Sequence, residues 1–157
     1  LVDDRLLYVD KRESHYPLRI TSHLGQRRVP HFGAIGKVLM AYLPESEVQR
    51  LLDKFPLEPL ASGTVVDRAV LADRLKSART KGYDIETNEI IDGVVGMAAP
   101  IFAGTSQPIA ALGVAVPQSL LGAEGIDPVV DLVVATAREV SNELGTKVWP
   151  PELAVST

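Results

Sequence analysis

Gly93-Val94-Val95-Gly96-Met97-Ala98-Ala99-Pro100-Ile101-Phe102, then Ala103-Gly104-Thr105-Ser106-Gln107, then Pro108-Ile109-Ala110-Ala111-Leu112-Gly113-Val114-Ala115-Val116, is the pattern around which the rest of the chain falls into place. Two apolar runs rich in small residues flank five turn-forming residues. That pattern predicts two strands joined by a hairpin. Tyr83 to Glu86 reads as a third strand just upstream. Links of this length favour antiparallel neighbours.

Moving downstream, Asp127-Pro128 predicts a helix start, with Asp127 as the cap and Pro at the first position. Val130, Val133, Val134, Ala137, Val140, Ser141 and Leu144 recur at helical spacing, and Gly145 ends the run. Moving upstream, Asp67 is an N-cap for a helix with Leu71, Leu75 and Ala78 inward, and Gly82 ends it. Phe55 to Gly63 carries two prolines and reads as a loop. Gly33 to Leu43 predicts a helix that is apolar nearly all round and therefore buried. Pro44 stops that helix and starts the next, with Glu45 and Glu47 near its positive end and Val48, Leu51 and Leu52 inward. Leu6 to Glu13 and Leu18 to Ser22 predict two more strands, with turns at Ser14 to Pro17 and at Gly25. Strands, then helices, then strands, then a closing helix predict an α+β domain: an antiparallel sheet with helices packed on it. Trp149 near the tail is expected to pack.

The chain has 157 residues, 46% apolar and 23% charged, which suits one globular domain over 1–157 with a core from about Leu6 to Gly145. No apolar run approaches the roughly 18 to 20 residues of a membrane span, so no membrane partner is expected. The net charge is −4, and the pairs Lys11-Arg12 and Arg27-Arg28 are too short for a nucleic-acid track. This chain alone is not expected to bind DNA well. Cys is absent, which excludes disulfides, thiolate metal sites and cysteine nucleophiles. A cytoplasmic location is expected. The chain opens at Leu1 without Met and reads as a piece of a longer polypeptide whose remainder lies on the N-terminal side.

Catalytic and cofactor patterns fail one by one. Gly33-Ala34-Ile35-Gly36-Lys37 half-matches a phosphate loop, yet His31 and Val38 stand where Gly and Ser or Thr are needed. Gly93-Val94-Val95-Gly96 is not a dinucleotide fingerprint. His15, His23 and His31 do not fall at helical i, i+4 spacing, so no metal is expected. Glu86 and Glu89 are candidate paired carboxylates, but no activated nucleophile lies near them. Neither a catalytic residue nor a cofactor is assigned.

Pro30-His31-Phe32-Gly33-Ala34-Ile35-Gly36-Lys37 and Gly82-Tyr83-Asp84-Ile85-Glu86-Thr87-Asn88-Glu89, with Gly93 and Gly96 to Phe102, resemble the effector-sensing domain of IclR-type bacterial transcription regulators. Tyr8-Val9, Pro17-Leu18-Arg19-Ile20, Gly25-Gln26-Arg27 and Pro108 to Val114 extend the likeness from about Leu6 to Gly145. The resemblance implies a GAF-like (profilin-like) fold with a curved antiparallel sheet and an effector pocket on one side. It implies that Ala34 and Ile35 donate backbone N–H groups to a carboxylate, since helix N-termini suit anions. It also implies that Glu86, Gly96, Gly113, Ala115, Ile20 and Met97 contact the effector, with Gly33, His31, Glu89 and Gly93 in structural roles. Gly96 and Gly113 have a second reading as close packing or bulges, and Met97 as core filler. Gly96, Gly113 and Ala115 stand where Ser or Cys often contacts a carboxylate in the family. Their bareness suggests more room, fewer donors and a larger, partly apolar effector such as an aromatic acid. The likeness further implies a winged helix-turn-helix on the missing N-terminal side, operator DNA bound only through it, and a homodimer or homotetramer. Two other functions remain open at this point. One is a GAF-like nucleotide sensor or dimerisation module of a signalling protein; the other is a small enzyme using Glu86 and Glu89, with His31.

Overall fold

The structure is a computed structural model that describes residues 1–16, 20 and 22–150. In chain order these form β1 (Leu6–Leu7), β2 (Arg27–Arg28), α1 (Gly33–Met40), α2 (Glu45–Lys54), α3 (Arg68–Lys81), β3 (Asp84–Thr87), β4 (Val94–Phe102), β5 (Pro108–Pro117) and α4 (Asp127–Glu143). A short 3-10 turn, Gln118–Leu120, follows β5.

β3, β4 and β5 form an antiparallel sheet in that order. The middle strand β4 is covered on both faces, which is why it reads as an unbroken apolar run rather than an alternating one. Alternate residues serve alternate faces. Ala98 and Phe102 join Ala34 and Val38 of α1, Leu51 and Leu52 of α2, and Leu71 and Leu75 of α3. Met97 and Ala99 join Val130, Val133 and Ala137 of α4. Helices therefore flank both faces of the sheet. The architecture is α+β with antiparallel sheets.

Local chemistry sets the helix ends. The Asp67 carboxylate accepts from the N–H groups of Ala69 and Val70 at 2.7 and 3.0 Å. Gly82 closes α3 in the left-handed region at φ 77°. Asp127 falls one residue inside α4, with Ile126 in the cap position and Pro128 in the first turn. α1 stops at Met40 rather than Leu43. Approaching Pro44, which disfavours helix in the residue before it, the chain tightens so that Leu43 N–H donates to the Met40 carbonyl at 3.0 Å. Ser141, on the inward face of α4, accepts from the Phe102 N–H at 3.1 Å. That is the point where the β4–β5 register shifts and the ladder leaves a donor over.

The N-terminal strands differ from expectation. Only Leu6 and Leu7 of the expected 6–13 strand pair, and they pair with Arg28 and Arg27 in a separate two-stranded sheet. Tyr8 adds bonds to Gln26 and Gly25, and then the ladder ends. Asp10 to Ser14 is a charged and polar run with no apolar face to bury, so nothing holds it to a sheet. Of the expected 18–22 strand, Leu18, Arg19 and Thr21 lie outside the described residues, and Ile20 and Ser22 are not in a strand. Trp149 packs as expected. Its indole N–H donates to the Pro100 carbonyl at 3.0 Å, and its ring lies against Gly82. No helix among the described residues is long and apolar enough to cross a membrane.

Candidate functional site

The site begins at the start of α1. Gly33 has φ 61°, a left-handed turn that lets the chain swing from Phe32 into the helix. A side chain at Gly36 would overlap the Pro30 carbonyl oxygen, so α1 lies flush on the segment that leads into it. The first turn carries no acidic residue and no side-chain cap. Among the described residues, no group accepts from the N–H of Ala34 or Ile35, as a helix N-terminus leaves them. The Arg28 guanidinium sits 4.7 Å above the ring of Phe32, the residue preceding α1. Arg28 thus places a cation beside a helix end that already favours anions. Sequence reasoning treats Arg27-Arg28 only as a pair too short for a nucleic-acid track and misses this.

Register brings Glu86 opposite Gly96, Gly96 opposite Ala115, and Ala98 opposite Gly113, all on the α1 side of the sheet. Glu86 is 6% exposed. Its Oε2 accepts from the Glu89 N–H at 3.1 Å. Its Oε1 points at the glycines: a Cβ at Gly33 would lie 3.7 Å from it, and one at Gly96 2.5 Å. Burial pushes the Glu86 carboxyl above the usual range, Lys37 pulls it back, and Glu89 pushes it up again. Tyr8 lies within electrostatic reach of Arg28 and Glu86, and burial raises its pKa.

Beside Glu86 sits a cluster that sequence reasoning did not assemble. Lys37 is 1% exposed. Its ammonium donates to Glu89 at 2.5 Å and stands 3.9 Å from Asp84. Arg74 of α3 donates to Asp84 at 2.5 Å and stands 3.5 Å from Glu89. Burial raises the Asp84 pKa, while Lys37 and then Arg74 lower it. Three carboxylates thus meet two cations, and no ion pair among the described residues holds Glu86. One signal was present: a single Lys inside a helix that is apolar all round must find a buried acid. Asp84 and Glu86 share one face of β3, which points to where that acid lies.

The remaining assigned residues fall as follows. Ile35, half-buried, lies on Gly113: a Cβ there would stand 2.5 Å from Ile35 Cγ1. Ala115 is exposed and Ile20 half-buried. Met97, 1% exposed, is on the α4 face of β4 among Val130 and Val133, so it does not line the α1 side. Strand parity requires this, because Gly96 already faces α1. His31 Nε2 lies 3.1 Å from the Phe55 carbonyl and ties the α1 entry to the end of α2. Burial lowers its pKa. Glu89 anchors Lys37, and Gly93, at φ 79°, donates its N–H to Asn88 Oδ1 at 2.7 Å. The bareness of Gly96 and Gly113 has not left open room, since Glu86 and Ile35 fold onto them. A cavity of about 20 Å³, enough for a water, lies on the other side of the helix start among His31, Gly33, Lys37, Thr64 and Glu89.

This geometry weakens acid–base chemistry. Glu86 receives the Glu89 N–H, and the Glu89 carboxylate is held by Lys37, so the two do not act as a free pair. The chain matches the family described as "Bacterial transcriptional regulator IclR C-terminal" over residues 1–142. It is 31% identical over 119 residues to "Probable transcriptional regulator SauR" of Cupriavidus necator, covering 76% of this chain and 47% of that one. It is 29% identical over 150 residues to "HTH-type transcriptional regulator KdgR" of Escherichia coli K12, covering 96% and 57%. The chain thus spans about half the length of the curated relatives it matches. Among solved structures it resembles a double mutant of the inducer-binding domain of the PobR transcription factor from Acinetobacter, in complex with 3-hydroxybenzoic acid. There the TM-score is 0.73 at 27% identity, covering 87% of this chain and 86% of that one. These relatives are transcriptional regulators, not enzymes. The chain belongs to the IclR family of bacterial transcriptional regulators, of which it represents the C-terminal domain.

Proposed function

We propose that this domain senses a small organic acid, aromatic in character, and relays its presence to DNA. The observation that carries the reading is that free donors and an acceptor lie close together at the start of α1. Among the described residues the N–H groups of Ala34 and Ile35 are unclaimed, and buried Glu86, whose Oε1 has no hydrogen-bond partner there, lies beside Gly33. The ligand carboxylate takes the N–H pair, with Arg28 adding charge, and a ligand hydroxyl donates to Glu86. In this reading Gly96 and Gly113, beneath Glu86 and Ile35, form the floor with Ala115 beside them, and half-buried Ile20 is assigned a contact with the acid. A double mutant of the PobR domain, which shares the fold, was solved with 3-hydroxybenzoic acid, and that supports an aromatic acid here.

The relay needs parts outside this chain. A winged helix-turn-helix on the N-terminal side contacts operator DNA, in a cytoplasmic homodimer or homotetramer. The acid changes operator affinity only by binding one arrangement of the subunits better than the other. Isothermal titration of the domain with 3-hydroxybenzoate, benzoate, pyruvate and glyoxylate tests the ligand. Binding of the aromatic acids is expected. Binding of pyruvate or glyoxylate alone overturns the assignment.

A further inference from the structure

Ile35 contributes a side chain as well as an N–H. It is the third residue of α1, half-buried, and it rests on β5. A Cβ at Gly113 would meet Ile35 Cγ1 at 2.5 Å and Cδ1 at 2.7 Å, well inside ordinary contact. A side chain at 113 and Ile35 in this position therefore exclude each other. The sheet beneath offers no bulk of its own: on the α1 side, Gly96 and Ala98 of β4 face Ala115 and Gly113 of β5. Nothing there exceeds a methyl group. The volume is filled from above, by Glu86 over Gly96 and by Ile35 over Gly113. Ala115 is exposed and Gly113 half-buried, so the bay opens to solvent on the β5 side. A β-branched residue in a helix has one strongly preferred rotamer, which makes this plug stiff.

We propose that Ile35 sets the upper size of the acid this site accepts, because its side chain, seated on Gly113, narrows the mouth of the bay on the β5 side. The proposal rests on the acid-binding reading above. In an apolar pocket a single methylene changes discrimination roughly 10- to 200-fold, so removing most of Ile35 should be plainly visible.

The test is the ratio of affinities for 2-naphthoate and benzoate, by titration calorimetry on the parent chain and on Ile35→Ala. The ratio should move at least tenfold toward naphthoate. Ile35→Ala/Gly113→Val returns similar volume from the floor and should restore the parent ratio. Ile35→Val, a milder change, should move the ratio the same way by less, and it covers the case in which the alanine variant folds poorly. Trp149 fluorescence melts report folding for each. Benzoate binding with an unchanged ratio in Ile35→Ala and Ile35→Val overturns the size rule and leaves the acid-binding reading standing. No binding of either acid by the parent or any variant overturns both.

Discussion

The two faces of β4 solve the burial problem in opposite ways. On the α4 side, Met97, Ala99, Val130, Val133 and Ala137 make a dry apolar contact with no charge in it. On the α1 side, the apolar cluster is interrupted at one end by Lys37, Asp84, Glu86 and Glu89, all buried, and by two glycines under folded-over side chains. A buried ionic cluster rarely stabilises more than well-packed apolar residues would, so its presence asks for another explanation. Here it pins α1 against β3 through Lys37 and leaves the Glu86 carboxylate beside Gly33, the first residue of α1. The α4 face is apolar packing alone, whereas the α1 face adds the charged groups of the proposed site to a larger apolar core.

The largest effect should come from breaking the ionic side. Lys37→Ala leaves Glu89 and Asp84 buried without their ammonium, and it should cost about 3–5 kcal/mol in a denaturant melt. A loss under 1 kcal/mol would mean that Arg74 alone satisfies both carboxylates. Next comes the apolar side. Met97→Ala should cost about 2–5 kcal/mol while leaving acid affinity unchanged, since Met97 faces α4. A parallel loss of affinity in the folded variant would put Met97 back in the site.

The smallest stability effect concerns Glu86. Its pKa is raised in the folded state, so the native chain holds this proton to higher pH than the unfolded chain. Its contribution is therefore most favourable below its ordinary value of 4.5 and falls as pH rises from there through the raised folded value. Glu86→Gln should remove that fall, so the variant gains on the parent as pH rises, while acid binding weakens. Equal pH slopes for the two would show that Glu86 ionises freely in the fold. Asp84 is raised as well, so only the difference between variant and parent isolates Glu86.

Much of the fold was legible because local signals agreed. Asp67 and Gly82 bracket α3, Pro44 separates α1 from α2, and the Ala103 to Gln107 turn joins β4 to β5. The N-terminal strands were less legible because Asp10 to Ser14 carries no apolar alternation to fix a partner. At the start of α1, Gly33 lies beside Glu86 and Ile35 lies on Gly113, whereas the Lys37 cluster gathers residues from α1, α3, β3 and the turn after it that no spacing rule connects. The glycines misled for a related reason. A bare position says only that room exists, and which side chain fills it depends on how the elements approach. Met97 was the avoidable miss, since one strand cannot aim Gly96 and Met97 at the same helix.

The most direct measurement is a titration of the ¹⁵N-labelled domain with 3-hydroxybenzoate, followed by amide chemical shifts. The largest and saturable shifts should fall on Ala34 and Ile35, with smaller ones at Gly96 and Gly113, and Glu86→Gln should weaken the titration. Saturable shifts confined to the α4 face, or none at Ala34 and Ile35, would contradict the proposed site.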